Sequence, residues 1–248
     1  MPKSFQGDPG AAESRKHRRR IVLLVFLVLL IALGSVLAIR LYGWLSRREG
    51  TRVVALVNTW NRMDDLKYTP HLTALSGGWQ VDKSCAEPLE KMLADCAAAG
   101  GAPQLVAAYR DRQEQEQRYQ AELQRLIAEG TDAQEAPALA ARRVPLPGCE
   151  EHELGLAVDI ADSAHPVLDE QQAETFTHQW LRENAWRYGF ILRYPPDRED
   201  LTGMDYVPWH YRYVGTAAAW QIQGLNLTLE EYVSLFYSEE AEIVFDEG

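Results

Sequence analysis

Residues 21–39 form an unbroken apolar run, with no charged side chain and only Gly34 and Ser35 as interruptions. At 1.5 Å per residue a helix of that length spans about 28 Å, close to the hydrocarbon thickness of a bilayer. Beyond it the pattern changes to short amphipathic segments. Ser84 and Glu87 have the spacing of a capping box, and Leu89, Met92, Leu93 and Cys96 then recur at helical intervals as far as Gly100 and Gly101. Residues 104–109 read as a strand. Residues 111–129 read as an amphipathic helix, with Tyr119, Leu123 and Leu126 on one side of a polar surface. The small-residue stretch 130–141 is either a loop or a second helix.

Residues 156–160 are apolar apart from Asp159, the pattern of a central strand. Residues 170–188 have helical spacing, with Phe176, Trp180 and Leu181 expected on the buried side. Strands are expected at 190–193 and 209–214, and Thr228 with Glu231 forms a capping box for a last helix ending near Phe236. The intermixing predicts an α+β domain with a central, mainly antiparallel sheet and flanking helices, preceded by one N-terminal transmembrane helix.

Charge sharpens this division. Residues 1–50 carry nine Lys/Arg and three Asp/Glu, leaving 16 basic and 33 acidic residues, a net −17, on the remainder. Six Lys/Arg precede the apolar run and four follow it as far as Arg52, a bias that places the N-terminus in the cytoplasm. The chain therefore reads as a basic cytoplasmic tail (1–20), a single-pass signal anchor (21–39), a juxtamembrane stem (40–52), an extracytoplasmic domain (53–240) and an acidic tail (241–248). A cleaved signal peptide is the rival reading, with residues 35–38 as its small-residue cleavage site. So acidic a domain disfavours nucleic acid and anionic lipid as partners. Cys85, Cys96 and Cys149 are an odd number for an oxidising compartment. On one helix Cys85 and Cys96 stand about 16 Å apart, too far to bridge.

Three residues carry the candidate chemistry. His152, Asp159 and His210 supply two imidazoles and one carboxylate, the set that leaves a position open on a catalytic zinc ion. A structural zinc site is usually closed by four protein ligands, and the cysteines here lack paired spacing. In the strand around His210, Arg212 shares its face while Trp209 and Tyr211 lie on the other, so His210 faces a site while its neighbours pack the core.

The segments Glu151-His152-x-x-Gly155-Leu156-Ala157-x-Asp159, Trp180-Leu181-x-x-Asn184-Ala185, Tyr188-Gly189-Phe190-Ile191-Leu192-Arg193-Tyr194-Pro195 and Pro208-Trp209-His210-Tyr211-Arg212-Tyr213-Val214-Gly215 resemble the VanY-type D-alanyl-D-alanine carboxypeptidases, zinc peptidases of the bacterial cell wall. The resemblance runs from about residue 56 to about residue 215. It implies Zn²⁺ on His152, Asp159 and His210, and an arginine at Arg110 that holds the substrate carbonyl as negative charge develops. It also implies a site-wall position at Gln115.

Two positions depart from the family pattern. Glu150 replaces a serine two residues before the first histidine, and Val207 replaces the glutamate that serves as general base three residues before the last one. Valine cannot move a proton, and losing general acid–base catalysis costs about 10²–10⁴-fold. In an extended strand Asp205 shares the face of Val207 at about 7 Å, which makes it the first candidate for a substitute. Glu150 and Glu151, otherwise expected as surface carboxylates, are further candidates. The apolar run and the resemblance together imply a membrane-anchored zinc D,D-carboxypeptidase acting on D-Ala-D-Ala-ended peptidoglycan stem peptides or precursors. The alternatives are a pseudo-enzyme that binds wall peptides, and an L,D-carboxypeptidase or endopeptidase of the same family.

Overall fold

Asp82 ends one strand and begins one helix, and its carboxylate does both jobs. It accepts hydrogen bonds from Ser84 N at 3.0 Å and Ser84 Oγ at 2.7 Å, satisfying the first turn of the helix. It also accepts from His71 N at 2.9 Å and pairs with Arg52 at 2.8 Å. The cap is therefore Asp82, two residues before the Ser84 expected from the sequence.

The computed structural model describes residues 51–66 and 68–237, together with Phe26 and Gly34. The chain divides into units Met1–Leu45 and Ser46–Gly248, and the fold lies in the second. The expected anchor at 21–39 falls outside the described residues apart from Phe26 and Gly34. Among the described residues no helix is long and apolar enough to cross a membrane.

A small antiparallel pair, β1 (Leu72–Ala74) and β2 (Gln80–Asp82), leads into helix α1 (Lys83–Ala98). Strand β3 (Pro103–Ala107) is followed by α2 (Arg112–Ala128), capped by Asp111, whose side chain accepts from Glu114 N at 2.8 Å. The 130–141 stretch resolves in favour of helix, as α3 (Ala136–Arg143). Then come β4 (Ala157–Asp162), α4 (Phe176–Asn184), β5 (Phe190–Tyr194), β6 (Val207–Tyr213), α5 (Thr216–Leu225) and α6 (Leu229–Tyr237).

Four strands make one sheet in the order β3-β4-β6-β5, each neighbour antiparallel. The expected α+β class with an antiparallel sheet is what the chain adopts. Strand β4 is buried along its whole length, as its apolar sequence requires of a strand covered on both faces. Leu154, Leu156, Val158, Ile160, Phe190 and Tyr211 pack with Leu89, Met92 and Leu181 in the main core. A second cluster gathers Ile191, Val214, Ile222, Leu229 and Tyr232 under α5 and α6.

The stretch expected as one helix over 170–188 is divided. A 3-10 turn at Glu170–Glu174, α4, and a second 3-10 turn at Ala185–Tyr188 replace it. Thr175 breaks the first junction by capping α4 through His178 N. The break rotates the buried face, so Thr177, His178 and Leu181 point inward while Phe176 is exposed. The capping box of α6 forms as expected: Thr228 N donates to Glu231 Oε2 at 2.8 Å and Glu231 N to Thr228 Oγ1 at 3.2 Å. All three cysteines are free and buried.

Candidate metal centre and active site

Register brings two of the three expected ligands together. Asp159 on β4 lies directly opposite His210 on β6, and opposite residues of an antiparallel pair project to the same face. His210 Nδ1 consequently sits 2.9 Å from Asp159 Oδ1. The third ligand comes from the 3-10 turn Glu151–Leu154 that precedes β4. That turn ends at Gly155, with φ +70°, where a Cβ would come within 2.9 Å of Asp82 N. The close approach lets Asp82 N donate to Gly155 O at 2.8 Å, tying the turn to the start of α1.

His152 Nδ1 lies 2.6 Å from the carbonyl of Ala108, which can only accept, so this nitrogen carries the proton. In the neutral ring the lone pair is therefore on Nε2. That atom is buried, makes no hydrogen bond, and lies 3.3 Å from Asp159 Oδ1. An orphaned buried imidazole nitrogen beside a carboxylate and a second imidazole is what a catalytic zinc site requires, and the residues fit the ion. The two rings stand 5.0 Å apart and nearly perpendicular, at 83°.

His210 Nε2 lies 3.5 Å from Glu151 Oε2. Glu151 is fully buried, and its Oε1 accepts from Arg193 Nε at 2.7 Å and from Arg212 Nη1 at 2.8 Å. Burial alone would raise its pKa, but the two guanidiniums outweigh that and hold the carboxylate ionised, well below the usual range. Burial would likewise lower His210, yet its contacts with Asp159 and Glu151 raise it to about 9. The pocket floor thus favours positive charge, whether a proton or a metal ion. A carboxylate behind a ligating imidazole fixes its ring and tautomer. Glu151 stands behind the His210 ring in ionic contact without a hydrogen bond at this distance, and it is not the surface carboxylate expected from its type.

Arg110 is also buried. Its Nη2 lies 3.7 Å from Asp159 Oδ2 and its Nη1 3.7 Å from Glu150 Oε2. Gln115, wholly buried, accepts from Arg110 Nη1 at 2.8 Å and donates to Pro145 O at 2.6 Å, so it locks the guanidinium in place. Arg110 N donates to His152 O at 3.2 Å, joining the arginine segment to the ligand turn.

Arg110, His152, Asp159 and His210 line a cavity of about 420 Å³ together with Tyr194, Val207, Trp209 and Met204. Trp209 borders the cavity, although alternation along β6 assigns it to the core. Glu150 lines it too and is buried at 4 % exposure, against the expectation of a surface position. One donor atom each from Glu150, His152 and His210 lies within 4.8 Å of the others. Asp159 stands 3.3 Å from His152 Nε2 and 2.9 Å from His210 Nδ1, so the three expected ligands come together, with Glu150 beside them. Asp205 does not join them. It pairs with Arg142 at 2.8 Å and approaches Arg143 at 3.9 Å, with its side chain 39 % exposed.

The roles of Glu151 and Gln115 and the inward course of Glu150 were accessible to sequence reasoning only as proximity to His152 or as family position. Comparison with known proteins identifies the family. A D-alanyl-D-alanine carboxypeptidase of Enterococcus faecalis (strain ATCC 700802 / V583) is 38% identical over 180 residues, 72% of this chain and 65% of that relative. The chain thus spans just under two thirds of that relative's length. The solved structure of VanYB in complex with D-alanine-D-alanine superposes with a TM-score of 0.67 at 37% identity, covering 73% of this chain and 97% of the other. The vancomycin resistance D,D-pentapeptidase VanY from a VanB-type cassette, solved as a mutant with Zn(II), gives a TM-score of 0.66 at 36% identity, over 73% and 98%. The family model described as VanY, D-alanyl-D-alanine carboxypeptidase, matches residues 78–216, more than half of the chain. The chain belongs to this family.

Proposed function

We propose that the protein is a zinc D,D-carboxypeptidase that removes the terminal D-alanine from peptidoglycan stem peptides or precursors, held at the cell membrane by residues 21–39 with the N-terminus inside. The convergence of His152 Nε2, His210 Nδ1 and Asp159 Oδ1 beside a buried arginine carries this reading. A zinc ion there would supply Lewis acidity toward the scissile carbonyl and acidify the attacking water.

The chain's own residues do the rest. Arg110 offers a fixed, permanently charged fork of donors where the carbonyl oxygen becomes negative, and Gln115 spares it the cost of reorganising. Glu151 holds His210 in one orientation. The VanYB complex with D-alanine-D-alanine supports the substrate class.

Val207 in the cavity wall favours a second reading, a protein that binds wall peptides without cleaving them. The experiment is D-alanine release from a pentapeptide ending in D-Ala-D-Ala by the zinc-loaded full-length protein in detergent, beside His152→Ala. Release lost in the variant supports the carboxypeptidase; peptide binding without release supports the second reading. Resistance of the protein to alkaline extraction from membranes tests the anchor, and its release into the supernatant would remove that part.

A further inference from the structure

We propose that Glu150 is the catalytic carboxylate of this chain, supplying from the first-ligand turn the proton transfer that Val207 cannot supply. The inference deepens the carboxypeptidase reading and depends on it.

Three carboxylates line the cavity: Glu122, Glu150 and Asp159. Glu122 is held by Arg125 at 2.7 Å and by Arg143 at 3.3 Å. Asp159 lies against both imidazoles. Outside the cavity lining, Glu151 is engaged by Arg193 and Arg212, and Asp205 by Arg142. Glu150 alone of these five is both in the cavity and without a short ion pair, its nearest cation being Arg110 at 3.7 Å.

Local backbone aims it there. Glu150 caps the 3-10 turn from an extended conformation (φ −110°, ψ 128°), and its Oε1 accepts from His152 N at 3.2 Å. That bond pins one oxygen and turns the carboxylate toward Arg110. A carboxylate oxygen within 4.8 Å of the imidazole donors is close enough for one water molecule to bond to both, since two hydrogen bonds of about 2.7 Å span such a distance. The buried acid thus faces the place where a nucleophilic water would stand, beside the arginine that receives the carbonyl.

In the step this allows, the Glu150 carboxylate takes one proton from the water as its oxygen bonds to the scissile carbonyl carbon. The C–N bond then breaks with its electron pair going to nitrogen. The proton on Glu150 passes to that nitrogen, leaving a shortened peptide with a carboxylic acid end and a free amine, and the acid's remaining proton then moves to the amine to give carboxylate and ammonium. Water is the sole co-reactant.

The test compares wild type, Glu150→Gln, Val207→Glu and the double variant as full-length protein in detergent. D-alanine release and bound zinc per chain are both measured. Glu150→Gln is expected to keep one zinc per chain while kcat falls by about 10²–10⁴-fold with KM little changed. Adding Val207→Glu to it is expected to restore roughly tenfold or more of that loss. A Glu150→Gln variant as active as wild type overturns the inference. So does one that has lost its zinc, which would make Glu150 a ligand, and so does a double variant no better than Glu150→Gln. A silent wild type beside an active Val207→Glu overturns the role of Glu150 while upholding the substrate. Silence in both removes the substrate reading and this inference with it.

Discussion

Glu151 Oε2 lies 3.5 Å from His210 Nε2 while its other oxygen is clamped between Arg193 and Arg212. One buried carboxylate therefore faces a ligand and neutralises two buried guanidiniums. The metal site and the core share this residue, so damage to it should register in both.

Glu151→Gln keeps the shape and removes the charge. Breaking a buried ion pair from one side costs about 3–5 kcal/mol. Arg193 keeps Glu230 at 2.6 Å, which places the expected loss near the lower end. Loss of the partner behind a ligating histidine should also weaken zinc binding by about 10–100-fold. Urea unfolding and chelator competition measure the two effects; a change in neither would remove the positioning role.

Asp159→Asn removes the charge that both imidazoles share. Zinc stoichiometry near zero is expected, with D-alanine release lost as well. In the wild type, zinc at about 100 times its Kd should stabilise the fold by about 2.7 kcal/mol, and chelation should reverse this. A melting temperature indifferent to chelator would contradict the proposed ligand set.

Arg110→Ala should lower kcat by about 10²–10³-fold, the usual cost of losing a donor aimed at a developing oxyanion. Gln115→Leu should have a smaller effect of the same kind, since Arg110 stays but loses its brace. Steady-state kinetics separate the two; a change confined to KM would show that Arg110 contributes uniform binding instead.

His178 gives the fold a pH dependence remote from the ligands. It is buried, with Nδ1 2.9 Å from Tyr211 Oη, and burial lowers its pKa to about 4. The unfolded chain binds this proton from about pH 6.5 downward, whereas the folded chain resists it. Stability from this group is therefore complete above about pH 6.5 and is lost as pH falls to about 4, by about 3 kcal/mol. The difference in unfolding free energy between wild type and His178→Asn should shrink over that interval. A constant difference would show that His178 is protonated as easily in the fold as outside it.

Much of the site is legible in the residues themselves. His152, Asp159 and His210 are put forward as a zinc set by their donor chemistry, two imidazoles and a carboxylate, and by the family resemblance that carries all three. The Thr228–Glu231 cap is equally local, bonding to backbone within three residues, whereas the Ser84–Glu87 spacing marked a cap that Asp82 supplies instead.

The carboxylates were not legible in this way. Alternation along an extended strand recommends Asp205, but β6 begins at Val207, and Asp205 N is bonded instead to Arg142 O on α3. Two residues short of the strand, the alternation no longer applies. Glu150 and Glu151 are charged neighbours in a turn, and nothing local distinguishes a solvated acid from a buried one. Their burial depends on Arg212 on the adjacent strand β6, on Arg193 on β5 beyond it, and on Arg110 from the segment after β3. The sequence by itself determined the cap of the last helix and the α+β class and put forward His152, Asp159 and His210 as ligands, since each depends on residue type or short-range spacing. Only the tertiary structure decided which acid faces the cavity, because a charge goes inside only where distant partners compensate it.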